Sequence, residues 1–202
     1  MYEYTLAIRN IITRPRKKHV LLRNNALWNQ LLSCLDVIED SQEAIEAYSA
    51  GEFGKNKGEE YLAIYGLLQA IYVQQDAVRN LGESLKIPIE LKNYPKLMDI
   101  RRIRDDSIGH PTKRDPPKRG EREDGGKGKS ISYSYHFISQ TTLCRKGFQL
   151  HSYYADGKLK VKDILIVNLI ADQKKYISEI LISIVHKLEQ EDAAHKEKFR
   201  AE

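Results

Sequence analysis

The hydrophobic periodicity of this chain predicts a mainly α-helical fold with a small antiparallel β-meander inserted before the C-terminal helix. Three observations carry the prediction. Apolar side chains recur at helical spacing through the first half; between about residues 130 and 166 the period drops to two; and from about Asn168 the helical period returns. The 202 residues are read as a single domain, 1–202, large enough to bury a core without help from disulfides or metal.

The elements follow in chain order. Leu27, Leu31, Leu35, Ile38 and Ile45 form a helical stripe over residues 20 to about 49, either as one helix or as two with a break near Asp40 and Ser41. Gly51 to Gly58 is a loop. From Glu59 to Leu85 the stripe resumes at Tyr61, Ile64, Leu68, Ile71, Val78, Leu81 and Leu85. Gln69, Gln74, Gln75 and Asp76 lie among these apolar positions, where in a bundle they face either the same cleft as Arg104 and His110 or the wet side of the helix, to which Gln74 at least is assigned. Pro88 and Pro95 punctuate a linker, and Lys96 to Ile108 makes a further helix that Gly109 and Pro111 end.

Residues 113–129, rich in charge, proline and glycine, lack the apolar content to fold alone and are expected to form a mobile charged loop. In the meander, 130–166, Ile131, Tyr133, Tyr135 and Phe137 alternate with Ser132, Ser134 and His136, which predicts a half-buried strand, the apolar set being the one expected inside. A second run, Phe148 to Tyr154, meets the hairpin signal Ala155-Asp156-Gly157, and Leu159 and Val161 alternate with lysines in a third. The C-terminal helix, 168–198, carries the stripe Tyr176, Ile177, Ile180, Leu181, Ile184, Val185 and Leu188.

Composition narrows the function classes. Cys34 and Cys144 lie far apart, and Cys34 falls in an apolar-periodic stretch where a reduced thiol packs as a small hydrophobe, so a reducing cytoplasm is expected. The N-terminal residues carry no targeting signal, and the most apolar run, Ile164 to Ile170, is far below the roughly 20 residues that cross a bilayer, so no membrane is expected. A net charge of +5 is compatible with an anionic partner, and cations gather at residues 14–19 and 113–129.

The densest chemistry is Arg101-Arg102-Ile103-Arg104-Asp105-Asp106-Ser107-Ile108-Gly109-His110-Pro111-Thr112-Lys113. Arginine offers a permanently charged fork for phosphate oxygens, and histidine can take and give a proton near neutral pH. Either Asp105 or Asp106 can orient the imidazole; Asp106 is four residues from His110 and shares its face if the helix persists. Lys113 and Arg114 open the basic stretch that would hold a polyanion against the site. On an uninterrupted helix six steps of about 100° leave Arg104 and His110 about 120° apart. Either Gly109 turns the chain, or the working arrangement needs a second copy.

Arg104, Asp105 and His110, with five residues between the Arg and the His, resemble the signature of the HEPN superfamily, in which an Arg followed by a polar residue is separated by four to six residues from a His. The resemblance implies a HEPN-like helical bundle, often a homodimer in which two motifs meet, and metal-independent endoribonuclease activity in a defence, toxin or stress-response system, with RNA as substrate and an antitoxin or regulatory protein as a further partner. It assigns Arg104, Asp105 and His110 to catalysis, calls for no cofactor, and leaves open a non-catalytic module that binds RNA, a nucleotide or a protein.

Two other pairs, Arg14 with His19 and Arg145 with His151, satisfy the loose spacing, but Arg14 precedes Pro15 and Arg145 precedes Lys146, whereas Arg104 is followed by an acid at the end of an apolar-periodic segment. His136 and His151, candidate neighbours across the meander, sit in no recognised ligand spacing, so no metal site is assigned. Tyr153 and Tyr154 near Lys158 are candidates for stacking on nucleic acid.

Overall fold

The computed structural model describes residues 1–51, 54–113 and 133–200. Six α-helices and three strands follow one another: α1 (Tyr2–Ile12), α2 (Pro15–Leu21), α3 (Asn25–Ala50), α4 (Lys57–Ser84), α5 (Pro95–Arg104), β1 (Ser134–Ile138), β2 (Gly147–Tyr154), β3 (Leu159–Leu165) and α6 (Ile166–Arg200). The chain is mainly helical with a three-stranded antiparallel sheet before the last helix. No described helix is long and apolar enough to cross a membrane.

Local chemistry sets the helix starts. Asn24 and Asn56 each accept the backbone N–H three residues on, Leu27 and Glu59, and so satisfy one of the free amides at the start of α3 and α4. Pro15 and Pro95 occupy first-turn positions, where a missing N–H costs nothing. Helix α3 runs unbroken through Asp40, because Ser41 buries its hydroxyl by donating it back to the Val37 carbonyl. Helices α1 and α2 are additions to the sequence reading, although Ile8, Ile11 and Ile12 are all buried at helical spacing.

Helices α3 and α4 lie antiparallel, since Gln30 reaches Asn80 while Gln74 reaches Ile38 and Gln42. Helix α6 packs across α1, α4 and α5. Ion pairs from Arg14 to Asp192 and from Lys17 to Glu191 hold α2 and the turn before it against the far end of α6. One continuous core links Ile8 of α1, Ile38 of α3, Ile71 of α4, Ile100 of α5, Leu150 of β2 and Ile177 of α6.

Glutamines complete that core. Gln74 and Gln75 are wholly buried rather than wet. Gln75 Nε2 donates to Gln173 Oε1 (2.8 Å), and Gln173 Nε2 donates to Gln74 Oε1 (2.8 Å) and to the Ile71 carbonyl (3.2 Å). Gln74 Nε2 donates in turn to Gln42 Oε1 (3.4 Å). Amide-to-amide pairing offsets the desolvation that would otherwise keep these residues at the surface.

The sheet has the order β1-β2-β3, with Phe137 opposite His151 and His151 opposite Val161. Gly157, at φ 82°, supplies the left-handed residue of the β2-β3 turn. The alternation in β1 is real, but its faces are the reverse of the expected ones. His136 and Ile138 face inward and are buried, while Tyr135 and Phe137 are exposed. Of the residues assigned to this strand, Ile131 and Ser132 lie outside the described residues, as do Arg114 and all but the first residue of the 113–129 loop.

Candidate functional site

The motif does not end in a plain α-helix. Helix α5 stops at Arg104, and Asp105–Gly109 form a π-helical turn that closes when the His110 backbone N–H donates to the Asp105 carbonyl at 2.8 Å. Such widened turns are uncommon and concentrate at functional sites. They insert a residue, so the α-helical geometry expected to place Asp106 beneath His110 does not apply.

Arg104 is anchored from three directions. Its Nε and Nη2 donate to Gln69 Oε1 at 3.3 and 2.8 Å, its Nη1 donates to Asp105 Oδ1 at 2.9 Å, and its guanidinium carbon lies 4.3 Å from the Tyr72 ring centroid. Arg101, one turn earlier, sits 4.0 Å from the same centroid and pairs with Asp76 Oδ1 at 3.1 Å. Two helix faces meet here: Gln69, Tyr72 and Asp76 follow three- and four-residue steps on α4, and Arg101 and Arg104 are three apart on α5. Three of the five guanidinium N–H groups of Arg104 are thereby engaged, leaving one on each terminal nitrogen.

Gly109 completes the seat. A Cβ there would lie 2.8 Å from Arg104 Nη1 and 3.2 Å from Asp105 Oδ1. The bare backbone therefore lets the π turn close over the Arg104–Asp105 pair.

His110 follows directly. Its ring is exposed and makes no hydrogen bond among the described residues. Neither acid is spent on it. Asp105 pairs with Arg104, and Asp106, which is buried, faces His136 Nε2 at 3.6 Å. Lys113, which is exposed, sits 4.2 Å from the Tyr133 ring centroid.

His136 docks the sheet on the motif. Its backbone N–H donates to the Pro111 carbonyl at 2.6 Å. Its ring nitrogens sit 2.8 Å from Ser152 Oγ and 2.9 Å from Ser134 Oγ. His151 lies on the opposite face of the sheet, its ring stacked 4.9 Å from that of Phe137, so the two histidines do not converge as a metal site would require.

Both rival arginines are engaged elsewhere. Arg14 is paired with Asp192, and Arg145 donates to the Ser49 carbonyl while His151 belongs to the sheet. Sequence reasoning placed Gln69 and Asp76 as possible neighbours of the motif but missed Tyr72, Arg101 and His136 as its supports. The three-residue spacing of Arg101 and Arg104 was the available signal for one of them; nothing local points to His136. The burial of Cys34 in α3 pushes its thiol up to about 11, so it is packed and unreactive at neutral pH, whereas Cys144 is exposed. Comparison with family models, with curated proteins and with solved structures finds no match to this chain.

Proposed function

We propose that this chain is a metal-independent endoribonuclease of HEPN type, acting as a homodimer in a defence, toxin or stress-response setting within the cytoplasm. The observation that carries the reading is the division of labour on one π turn. An arginine is held rigid by Gln69, Asp105 and Tyr72, and an exposed histidine six residues later is free to meet a substrate or a second copy.

In this reading an RNA 2′-hydroxyl attacks the adjacent phosphorus. Arg104 holds the phosphate through its remaining N–H groups and offsets the charge that develops on the phosphoryl oxygens, an effect that gains from being pre-organised. His110 moves the proton, the acid–base role that imidazole side chains most often fill. Asp105 positions the guanidinium rather than the imidazole. The attacking oxygen belongs to the substrate, so no metal is needed to activate it, and DNA resists for want of that oxygen. Lys113 and Arg114 supply non-specific phosphate attraction. Labelled single-stranded RNA should be cut in the presence of EDTA to leave 2′,3′-cyclic phosphate ends, with DNA of the same sequence intact. RNA left intact under all conditions tested would end this reading.

A second reading has an observation of its own in its favour. Most of Arg104's hydrogen-bonding capacity is spent inside the chain, and both acids are engaged away from His110. A non-catalytic module that binds RNA, a nucleotide or a protein would tolerate that arrangement. It predicts RNA retention with a steep salt dependence and no cleavage.

A further inference from the structure

We propose that the groove beside the motif is a nucleobase subsite, taking one unstacked base of a single-stranded RNA whose phosphate lies at Arg104 and His110; the choice of RNA rests on the ribonuclease reading, the choice of a flat neutral ring does not. The groove, about 330 Å³, opens where α4, the π turn and β1 meet, and is lined by Tyr61, Tyr65, Ser107, Pro111, Thr112 and Phe137. That volume lies at the small end of the range for ligand sites, suited to one ring system rather than an extended molecule.

Its chemistry is selective. Among the described residues no carboxylate, lysine or arginine lines it, so they offer nothing to a phosphate. They offer aromatic surface instead: Tyr65 is 41% exposed, and Tyr61 holds it edge-on at 5.7 Å between centroids. Stacking of a base on such a ring tolerates any base.

One polar group in the wall is unsatisfied. Ser107 is 3% exposed and its hydroxyl has no hydrogen-bond partner among the described residues. A buried hydroxyl left this way is costly, and a ligand edge reaching it would recover that loss. A serine oxygen both donates and accepts, as the edge of a nucleobase does. His136 also borders the groove, but hydroxyls sit against both its ring nitrogens, so it acts as wall.

Position ties the groove to the motif. Ser107 is the middle residue of the π turn that follows Arg104, and Pro111 follows His110 directly. A base seated here therefore belongs to a nucleotide adjoining the phosphate that Arg104 would hold.

The test separates this subsite from catalysis by using probes without phosphate. The four ribonucleosides are titrated into the full-length protein and followed by saturation-transfer NMR. At least one should bind. Ser107→Ala should weaken that binding about five- to tenfold, and Tyr65→Ala, at an exposed ring and so safe for folding, should weaken it at least as much. Absence of nucleoside binding, or binding indifferent to both groove variants, overturns the subsite even if wild-type protein cleaves RNA. Groove-dependent nucleoside binding without RNA cleavage keeps the subsite and removes the ribonuclease reading. A third result also overturns it: Tyr65→Ala lowers the mass seen by light scattering without changing nucleoside affinity, which would make the groove a contact between copies.

Discussion

The glutamine cluster of the core and the Arg104–His110 segment are both polar, and both lean on α4, yet they treat their hydrogen-bonding capacity in opposite ways. Gln42, Gln74, Gln75 and Gln173 are sealed and bond mainly to one another, with only the Gln75 carbonyl oxygen lacking a partner among their side-chain groups. The motif is anchored on one side and open on the other: Arg104 is braced by Gln69 and Asp105, while the Ser107 hydroxyl has no partner and the His110 ring meets solvent. Only one turn of α4 separates Gln69 from Gln74. The same residue type thus holds the fold on one face of the helix and aims an arginine on the neighbouring face.

If that contrast is correct, substitutions in the two clusters fail differently. The largest expected effect is on catalysis. Loss of a general acid–base group typically costs 10²- to 10⁴-fold, so His110→Ala should remove RNA cleavage to that extent, with a thermal midpoint close to wild type because the ring is exposed and unbonded. Arg104→Ala should lose as much activity and also about 1–3 kcal/mol of stability, since its charged hydrogen bonds and the Tyr72 contact go with it. Cleavage rates and melting curves of the two variants, measured side by side, check the split. Equal melting losses would mean the open side of the motif is not open.

Next comes Gln173→Leu, which removes the partner of Gln75 Nε2 and of Gln74 Oε1 together. Two newly unpaired buried groups cost roughly 3 kcal/mol, or about 6–12 °C in a domain of this size, while cleavage by the folded fraction should stay at the wild-type rate. A stable but inactive Gln173→Leu protein would couple the clusters and break the comparison. Smaller again is Gly109→Ala. The new methyl group meets the ends of two side chains rather than backbone and shifts the anchored guanidinium, so the expected outcome is an activity loss on the order of tenfold, the equivalent of about 1.4 kcal/mol, with little change in melting. Rates and a melt of this one variant decide it.

Periodicity made most of the architecture legible. The stripes of α3, α4 and α6, the stop of the helical segment at Gly109 and the hairpin at Gly157 all follow from local pattern. What escaped depended on partners that a local pattern does not contain. Alternation in β1 separates Tyr135 and Phe137 from His136 and Ile138 but does not say which set is inside; His136 goes in because Ser134 and Ser152 meet its ring. Gln74 read as wet for the same reason, since its partners are 32 and 99 residues away in the chain. At the site, the motif residues were visible as chemistry, yet the π turn, the Arg104–Gln69 bond and the turning of Asp106 toward His136 are products of packing between segments.

The proposed reading has one working site shared between two copies, and subunit mixing tests that most directly. Arg104→Ala and His110→Ala proteins, each inactive alone, are denatured together, refolded as a mixture and assayed on single-stranded RNA in EDTA. Light scattering should first report about twice 23.3 kDa. If the Arg of one chain works with the His of the other, mixed dimers hold one intact site, and a substantial fraction of wild-type cleavage returns. If Arg104 and His110 work within one chain, or do no chemistry at all, the mixture stays as inactive as its parts, and the shared site is contradicted.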